Sequence, residues 1–216
     1  MTGLHEPLRE RLLAITRQLS VLGLNRGTAG NVSVRDSDSF LVTPSGMTVE
    51  AMTPHHMVQM DFDGKHHGSY EPSSEWRFHR DILASRKEIG AVIHTHSMFA
   101  TTIACLRHDV PPLHYMMALV GGTHIRCASY ALFGSQELSD GALAALHERK
   151  ACLLANHGMI ALGRDLEDAL AVAVEVETLC EQYWRTLQVG GPVLLSEQEM
   201  SEAMERFKTY GSWKGK

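Results

Sequence analysis

Ala91-Val92-Ile93-His94-Thr95-His96 is an apolar run that ends in two histidines one residue apart. Alternate side chains on a β-strand point to one face, so the imidazoles of His94 and His96 converge while Thr95 turns away. Two convergent imidazoles are half of a tetrahedral metal site. The other half is available on either side in sequence: Glu75 upstream, and His157 in the bend Asn156-His157-Gly158 downstream. Glu75 follows Pro72-Ser73-Ser74, and Ser73 or Ser74 is expected to cap a helix running to about Lys87. A carboxylate in the first turn of that helix is also favoured by the helix dipole. His79, four residues on, shares the helical face and is a rival ligand. It is expected to support Glu75 instead, because a fourth imidazole would leave the carboxylate without a task. His55-His56 and His66-His67 fall in expected loops and are read as incidental.

Around the histidine strand, helices alternate with short strands. Leu8, Leu12, Ile15 and Leu19 recur at helical spacing and predict an amphipathic helix over about 5–22, stopped near Gly23 and Asn25. Residues 31–34 and 40–43, around the polar turn Asp36-Ser37-Asp38-Ser39, and residues 57–60, leading into Asp63-Gly64, are expected to form a three-stranded meander. A helix over about 97–107 follows the histidine strand. Residues 152–155 and 159–162 read as strands on either side of the His157 bend, and a long helix runs from Asp165 to about Leu187. Ser196 with Glu199 makes a capping box for a last helix that gives out near Tyr210.

Composition sets wider bounds. The 216 residues contain no Pro/Gly/Ser-rich linker, which predicts one domain over 1–216. A formal charge of −5 argues against a general affinity for nucleic acid and leaves room for a local phosphate site. Cys105, Cys127, Cys152 and Cys180 stand far apart among apolar neighbours, as reduced core thiols of a cytoplasmic protein would. The charged, amphipathic first twenty residues do not match a secretory signal, and no apolar run approaches the roughly 18 residues that a membrane span needs.

Three clusters of small, hydroxyl-bearing or amide-bearing residues suit an oxyanion: Gly27-Thr28-Ala29-Gly30-Asn31, Thr43-Pro44-Ser45-Gly46 and Pro72-Ser73-Ser74. Each can offer backbone N–H groups and side-chain donors. None carries a nucleotide-binding glycine pattern. Because Ser73-Ser74 immediately precedes Glu75, an anion held there lies within reach of the metal.

These strings, with Pro111-x-x-His114-Tyr115-Met116, Leu154-x-x-His157-Gly158 and Phe207-Lys208-Thr209-Tyr210-Gly211, resemble the class II aldolase/adducin family over nearly the whole chain. Among its members the resemblance is strongest to the fuculose-phosphate aldolases. It implies a three-layer α/β/α fold with a predominantly antiparallel central sheet. It also implies a zinc-dependent aldolase that forms a homotetramer, with active sites at the subunit interfaces. His94, His96 and His157 become zinc ligands, with Glu75 as the resting fourth ligand and proton shuttle. Asn31, Ser45, Gly46, Ser73 and Ser74 become the phosphate pocket. Tyr115 would arrive from a neighbouring subunit to serve the C4 hydroxyl, Tyr210 would help close the site, and Phe133 and Phe207 would line the aldehyde pocket. Ser45 stands where the fuculose-phosphate members have threonine, which keeps the hydroxyl.

The chemistry so implied is cleavage of a ketose 1-phosphate to dihydroxyacetone phosphate and an aldehyde through a zinc-stabilised enediolate. Three imidazoles and a carboxylate also suit Mn²⁺, Co²⁺ or Fe²⁺, so zinc rests on the resemblance. Relatives on the scaffold act on L-fuculose 1-phosphate, 5-methylthioribulose 1-phosphate or 5-deoxyribulose 1-phosphate, and others epimerise, dehydrate or decarboxylate. The epimerase has aspartate at the Glu75 position, so glutamate favours the aldolase. A non-catalytic adducin-like module would not need the metal and phosphate residues. A cupin would place its glutamate soon after His-x-His and would lack the long helix.

Overall fold

The computed structural model describes residues 6–208. Its strands are β1 (Asn31–Asp36), β2 (Ser39–Val42), β3 (Val58–Asp61), β4 (His66–His67), β5 (Ala91–Thr95), β6 (Arg126–Ala128), β7 (Ala151–Leu154) and β8 (Gly158–Gly163). They form one sheet in the order β4-β3-β2-β1-β5-β8-β7-β6. Every pairing is antiparallel except the parallel β6–β7 pair. The expected meander is present as β1–β2–β3, extended at its edge by β4.

The two faces of the sheet carry separate apolar cores. On one side, Val32, Val34, Ile93, Met159 and Ala161 pack with α1 (Glu6–Val21), α3 (Met98–Leu106), α5 (Leu166–Leu187) and Met200 of α6 (Glu197–Phe207). On the other, Phe40, Val42, Val92, Ile160 and Leu162 pack with α2 (Trp76–Ser85) and α4 (Gln136–Ala145). This is the expected three-layer α/β/α arrangement. Because β5 is covered on both faces, it reads as a continuous apolar run instead of an alternating one.

The register puts a polar row against α2. Asn31 lies opposite His94, and Ser33 opposite Val92. Since Val32 and Val34 turn to the α1/α3/α5 core, Asn31 and Ser33 turn toward α2 together with Val92 and His94.

Several expectations need correction. Glu75 is the N-cap of α2 and does not lie in its first turn. The chain first makes a turn in which the Trp76 N–H donates to the Ser73 carbonyl (3.1 Å) and the Glu75 N–H to Ser73 Oγ (3.3 Å). The helix also stops at Ser85, because Arg86 takes an extended conformation. His66-His67 is not a loop but the short edge strand β4, and His55-His56 closes a 3₁₀ turn, Pro54–His56. Between residues 107 and 151, where the pattern yields no element, lie a 3₁₀ helix (Tyr115–Val120), β6 and α4. All four cysteines are free, but only Cys152 and Cys180 are buried. Cys105 is exposed because its apolar neighbours Ile103 and Ala104 occupy the inward face of α3. No helix among the described residues is long and apolar enough to cross a membrane.

Candidate active site

His94 is fully buried on β5, and its Nδ1–H donates to the Met159 carbonyl of β8 (2.9 Å). That bond leaves Nε2 as the free lone pair, aimed at the site. His96 lies one residue beyond the strand, with its Nε2 3.0 Å from that of His94. The Glu75 carboxylate closes the group, with Oε2 3.2 Å from His94 Nε2 and Oε1 3.2 Å from His157 Nε2. All four ligand atoms fall within 4.8 Å of one another. Ligands about 2.0–2.1 Å from one tetrahedral cation stand about 3.3–3.4 Å apart. The three separations given above, 3.0–3.2 Å, lie close to that figure.

The donor chemistry also fits a divalent cation. Glu75 Oε1 is buried and, despite its closeness to His157, has no partner in hydrogen-bond geometry. An oxygen so placed is costly unless a cation completes it. Burial by itself would raise the Glu75 carboxyl, but the imidazoles of His94 and His157 override it and hold the group well below the usual carboxylate range. For His96, burial and then the neighbouring imidazoles push the ring down to about 4, so it offers a lone pair at neutral pH.

Backbone requirements explain the sequence around His157. Asn156 adopts a left-handed conformation (φ 55°), tied by its N–H to the Ala104 carbonyl (3.0 Å) and by its Oδ1 to Arg107 Nε (2.7 Å). A β-carbon at residue 158 would collide with the Thr95 carbonyl oxygen, so only glycine lets β8 start against β5 directly behind His96. The segment after His96 is held from α5. Glu177 accepts hydrogen bonds from Ser97 Oγ (2.6 Å) and from the N–H groups of Phe99 (2.8 Å) and Ala100 (2.9 Å), which caps α3.

His79 is not one of the converging ligands. Its Nδ1 meets Ser33 Oγ (2.7 Å) and its Nε2 meets Asn31 Oδ1 (2.5 Å), while Asn31 Nδ2 donates to Glu75 Oε2 (3.0 Å). Complete burial pushes its imidazole down to about 3.

A cavity of about 340 Å³ opens over the ligands, with Glu75, His96 and His157 as its floor. Its walls bring together all three oxyanion clusters: Asn31, Ser45, Gly46, Ser73 and Ser74 line it, and so does Phe133. Thr28, Tyr130 and Asn156 also line it and were not singled out in the sequence. Thr28 and Asn156 lie inside quoted clusters, whereas nothing in the pattern marks Tyr130. Tyr115 and Phe207 lie elsewhere, with ring centroids 6.3 Å apart in a separate cavity shared with Met116, Ala203 and Arg206. Tyr210 lies outside the described residues.

A family profile described as the Class II Aldolase and Adducin N-terminal domain matches residues 10–184. The chain belongs to the class II aldolase and adducin family. It is 54% identical to the 5-methylthioribulose-1-phosphate/5-deoxyribulose-1-phosphate aldolase of Rhodospirillum rubrum, over 98% of this chain and 96% of that one. It is 46% identical to the L-fuculose phosphate aldolase of Escherichia coli K12, over 94% of this chain and 95% of that one. A solved L-fuculose 1-phosphate aldolase superposes with a TM-score of 0.91 at 37% identity, covering 95% of this chain and all of the other. With its three-histidine, one-glutamate metal site, this family member is a class II, metal-dependent aldolase.

Proposed function

We propose that this chain cleaves a ketose 1-phosphate reversibly between C3 and C4, giving dihydroxyacetone phosphate and an aldehyde, with Zn²⁺ held by His94, His96, His157 and, at rest, Glu75. One observation carries this reading: three of the four converging ligand residues, Glu75, His96 and His157, form the floor of the same cavity whose walls are the hydroxyl- and amide-bearing clusters, with His94 buried beneath them. A phosphate and a metal-polarised carbonyl therefore fit in one small molecule. The bound cation supplies Lewis acidity to the ketose carbonyl.

The remaining work falls to side chains. Asn31, Ser45, Gly46, Ser73 and Ser74 bind the phosphate and fix the C1 end of the substrate. Glu75, ionised and hydrogen-bonded by Asn31, exchanges a proton at C3. The C4 hydroxyl needs a second proton acceptor; Tyr130 lines the cavity, whereas Tyr115 lies in a separate cavity of its own chain. The family resemblance assigns that task to Tyr115 from a second copy, in a homotetramer whose sites lie between subunits. Tyr210 helps close the site, and Phe207 joins Phe133 around the aldehyde chain. Residues 1–216 act as one domain, and the four free thiols suit the cytoplasm.

The higher identity to the Rhodospirillum rubrum relative supports 5-methylthioribulose 1-phosphate or 5-deoxyribulose 1-phosphate over L-fuculose 1-phosphate. An added apolar group changes such recognition by only ~1–3 kcal/mol. The test is a coupled assay for dihydroxyacetone phosphate, run on metal-loaded protein with these three substrates and L-ribulose 5-phosphate. Triose phosphate release from the ketose 1-phosphates is expected. Epimerised pentose phosphate with no triose phosphate from any substrate would overturn the reading.

A further inference from the structure

Behind Glu75 and Asn31 runs a chain of buried side chains whose far members, His79 and Ser33, the reaction as described does not use. Asn31 and Ser33 are two apart on one face of β1, and Glu75 and His79 are four apart at the start of α2, so the two pairs interlock. Ser33 and His79 are fully buried, and Asn31 and Glu75 nearly so. Contacts link them in the order Ser33 Oγ, His79 Nδ1 (2.7 Å); His79 Nε2, Asn31 Oδ1 (2.5 Å); Asn31 Nδ2, Glu75 Oε2 (3.0 Å).

Donor and acceptor rules give this chain one direction. A carboxylate only accepts, so the Asn31 NH₂ faces Glu75 and its carbonyl faces His79. His79 Nε2 must then carry the proton. A fully buried ring is neutral, so Nδ1 accepts and the Ser33 hydroxyl donates to it. Every link points toward Glu75. Rotating the Asn31 amide by half a turn would set its carbonyl against the carboxylate and its NH₂ against an N–H, breaking two bonds at once.

We propose that His79, locked by Ser33, is a positioning residue whose Nε2–H fixes the Asn31 amide, so that this amide holds the Glu75 carboxylate at its working angle. The amide orientation stands on the geometry alone. Its effect on turnover rests on the reading of Glu75 as the group that moves the C3 proton.

The test has two arms. With ¹⁵N-histidine labelling of the metal-loaded protein, His79 should give a neutral Nε2–H tautomer with a slowly exchanging proton. An Nδ1–H tautomer would overturn the proposal whatever the enzyme does. In the second arm, His79→Phe fills the space without a donor, whereas His79→Gln restores an N–H toward Asn31. His79→Phe should keep its metal content and change KM little, yet lose kcat by ~10²-fold, and His79→Gln should recover about tenfold of that. Equal loss in both variants, or unchanged kcat in His79→Phe, would reduce His79 to packing. Should His79→Phe fail to fold, Ser33→Ala removes only the far hydroxyl. It should lower kcat by about threefold to tenfold, and parental kcat there would likewise overturn the proposal. If the parent protein releases no triose phosphate, the reaction reading fails, and the tautomer still decides the amide orientation.

Discussion

The floor of the cavity and the corner that holds Tyr115 and Phe207 are built on opposite plans. The floor draws its ligands from the N-cap of α2, the end of β5 and the bend before β8, all in one chain, with Glu75 and His94 buried and the side chains already converged. At the corner, Tyr115 is 54% exposed and packs against a ring of α6 in a cavity separate from the metal ligands. The four metal ligands are thus all present within one chain, whereas on the proposed reading the proton chemistry at the far carbon waits on a second copy. On that reading a chain can be loaded with metal before it can turn over.

The sharpest way to break that contrast is at the floor. His157→Ala should lower metal content and reduce activity to background, as should a chelator applied to the parent protein; full metal occupancy in the variant, by atomic absorption, would dissolve the ligand assignment. Glu75→Gln should keep most of its metal, since three imidazoles remain, and lose kcat by ~10²-fold or more in steady-state assays. Near-normal turnover would reduce the carboxylate to a ligand.

The corner is tested by mixing. Tyr115→Phe and His157→Ala subunits, each inactive alone, should regain partial activity when co-assembled, because some interfaces then pair an intact tyrosine with an intact floor. No complementation in verified mixed assemblies would take Tyr115 out of the mechanism or confine the site to one chain. The smallest effect concerns stability. His79 and His96 titrate in the folded apoprotein near 3 and 4, below the ordinary 6.5, so the unfolded chain takes up protons first. Their contribution is present above pH 6.5 and is lost as pH falls toward the folded values. The lowered Glu75 carboxyl acts in the same direction. The apoprotein Tm should therefore fall between about pH 6.5 and pH 4, and a flat profile in calorimetry would show that the rings of His79 and His96 are not desolvated as described.

Legibility of the sequence followed the same division. His94 and His96 could be read because a buried strand advertises itself as an apolar run and its period of two fixes which residues converge. Helix α5 could be read because twenty-two residues leave room for a repeating apolar stripe and an Asp165 cap. Strand β6 has three residues and α4 has ten with Gly141 inside, too short for period to speak; the one local signal there was Ser135, whose Oγ caps Leu138 N–H. The partners of His79 were invisible for a different reason. Ser33 and Asn31 reach it only through the β1–β5 register, which is a property of the assembled sheet.

The position of β5 in the sheet has a consequence for synthesis. β5 is made next to β1 in space, but its other neighbour, β8, begins only at Gly158. While the intervening residues leave the ribosome, β5 presents an unpaired edge that begins with three apolar residues, the kind of surface that templates association between nascent chains. The last ligand, His157, emerges at the same moment as the strand that covers this edge. Metal loading and protection of the edge therefore become possible at the same stage of synthesis.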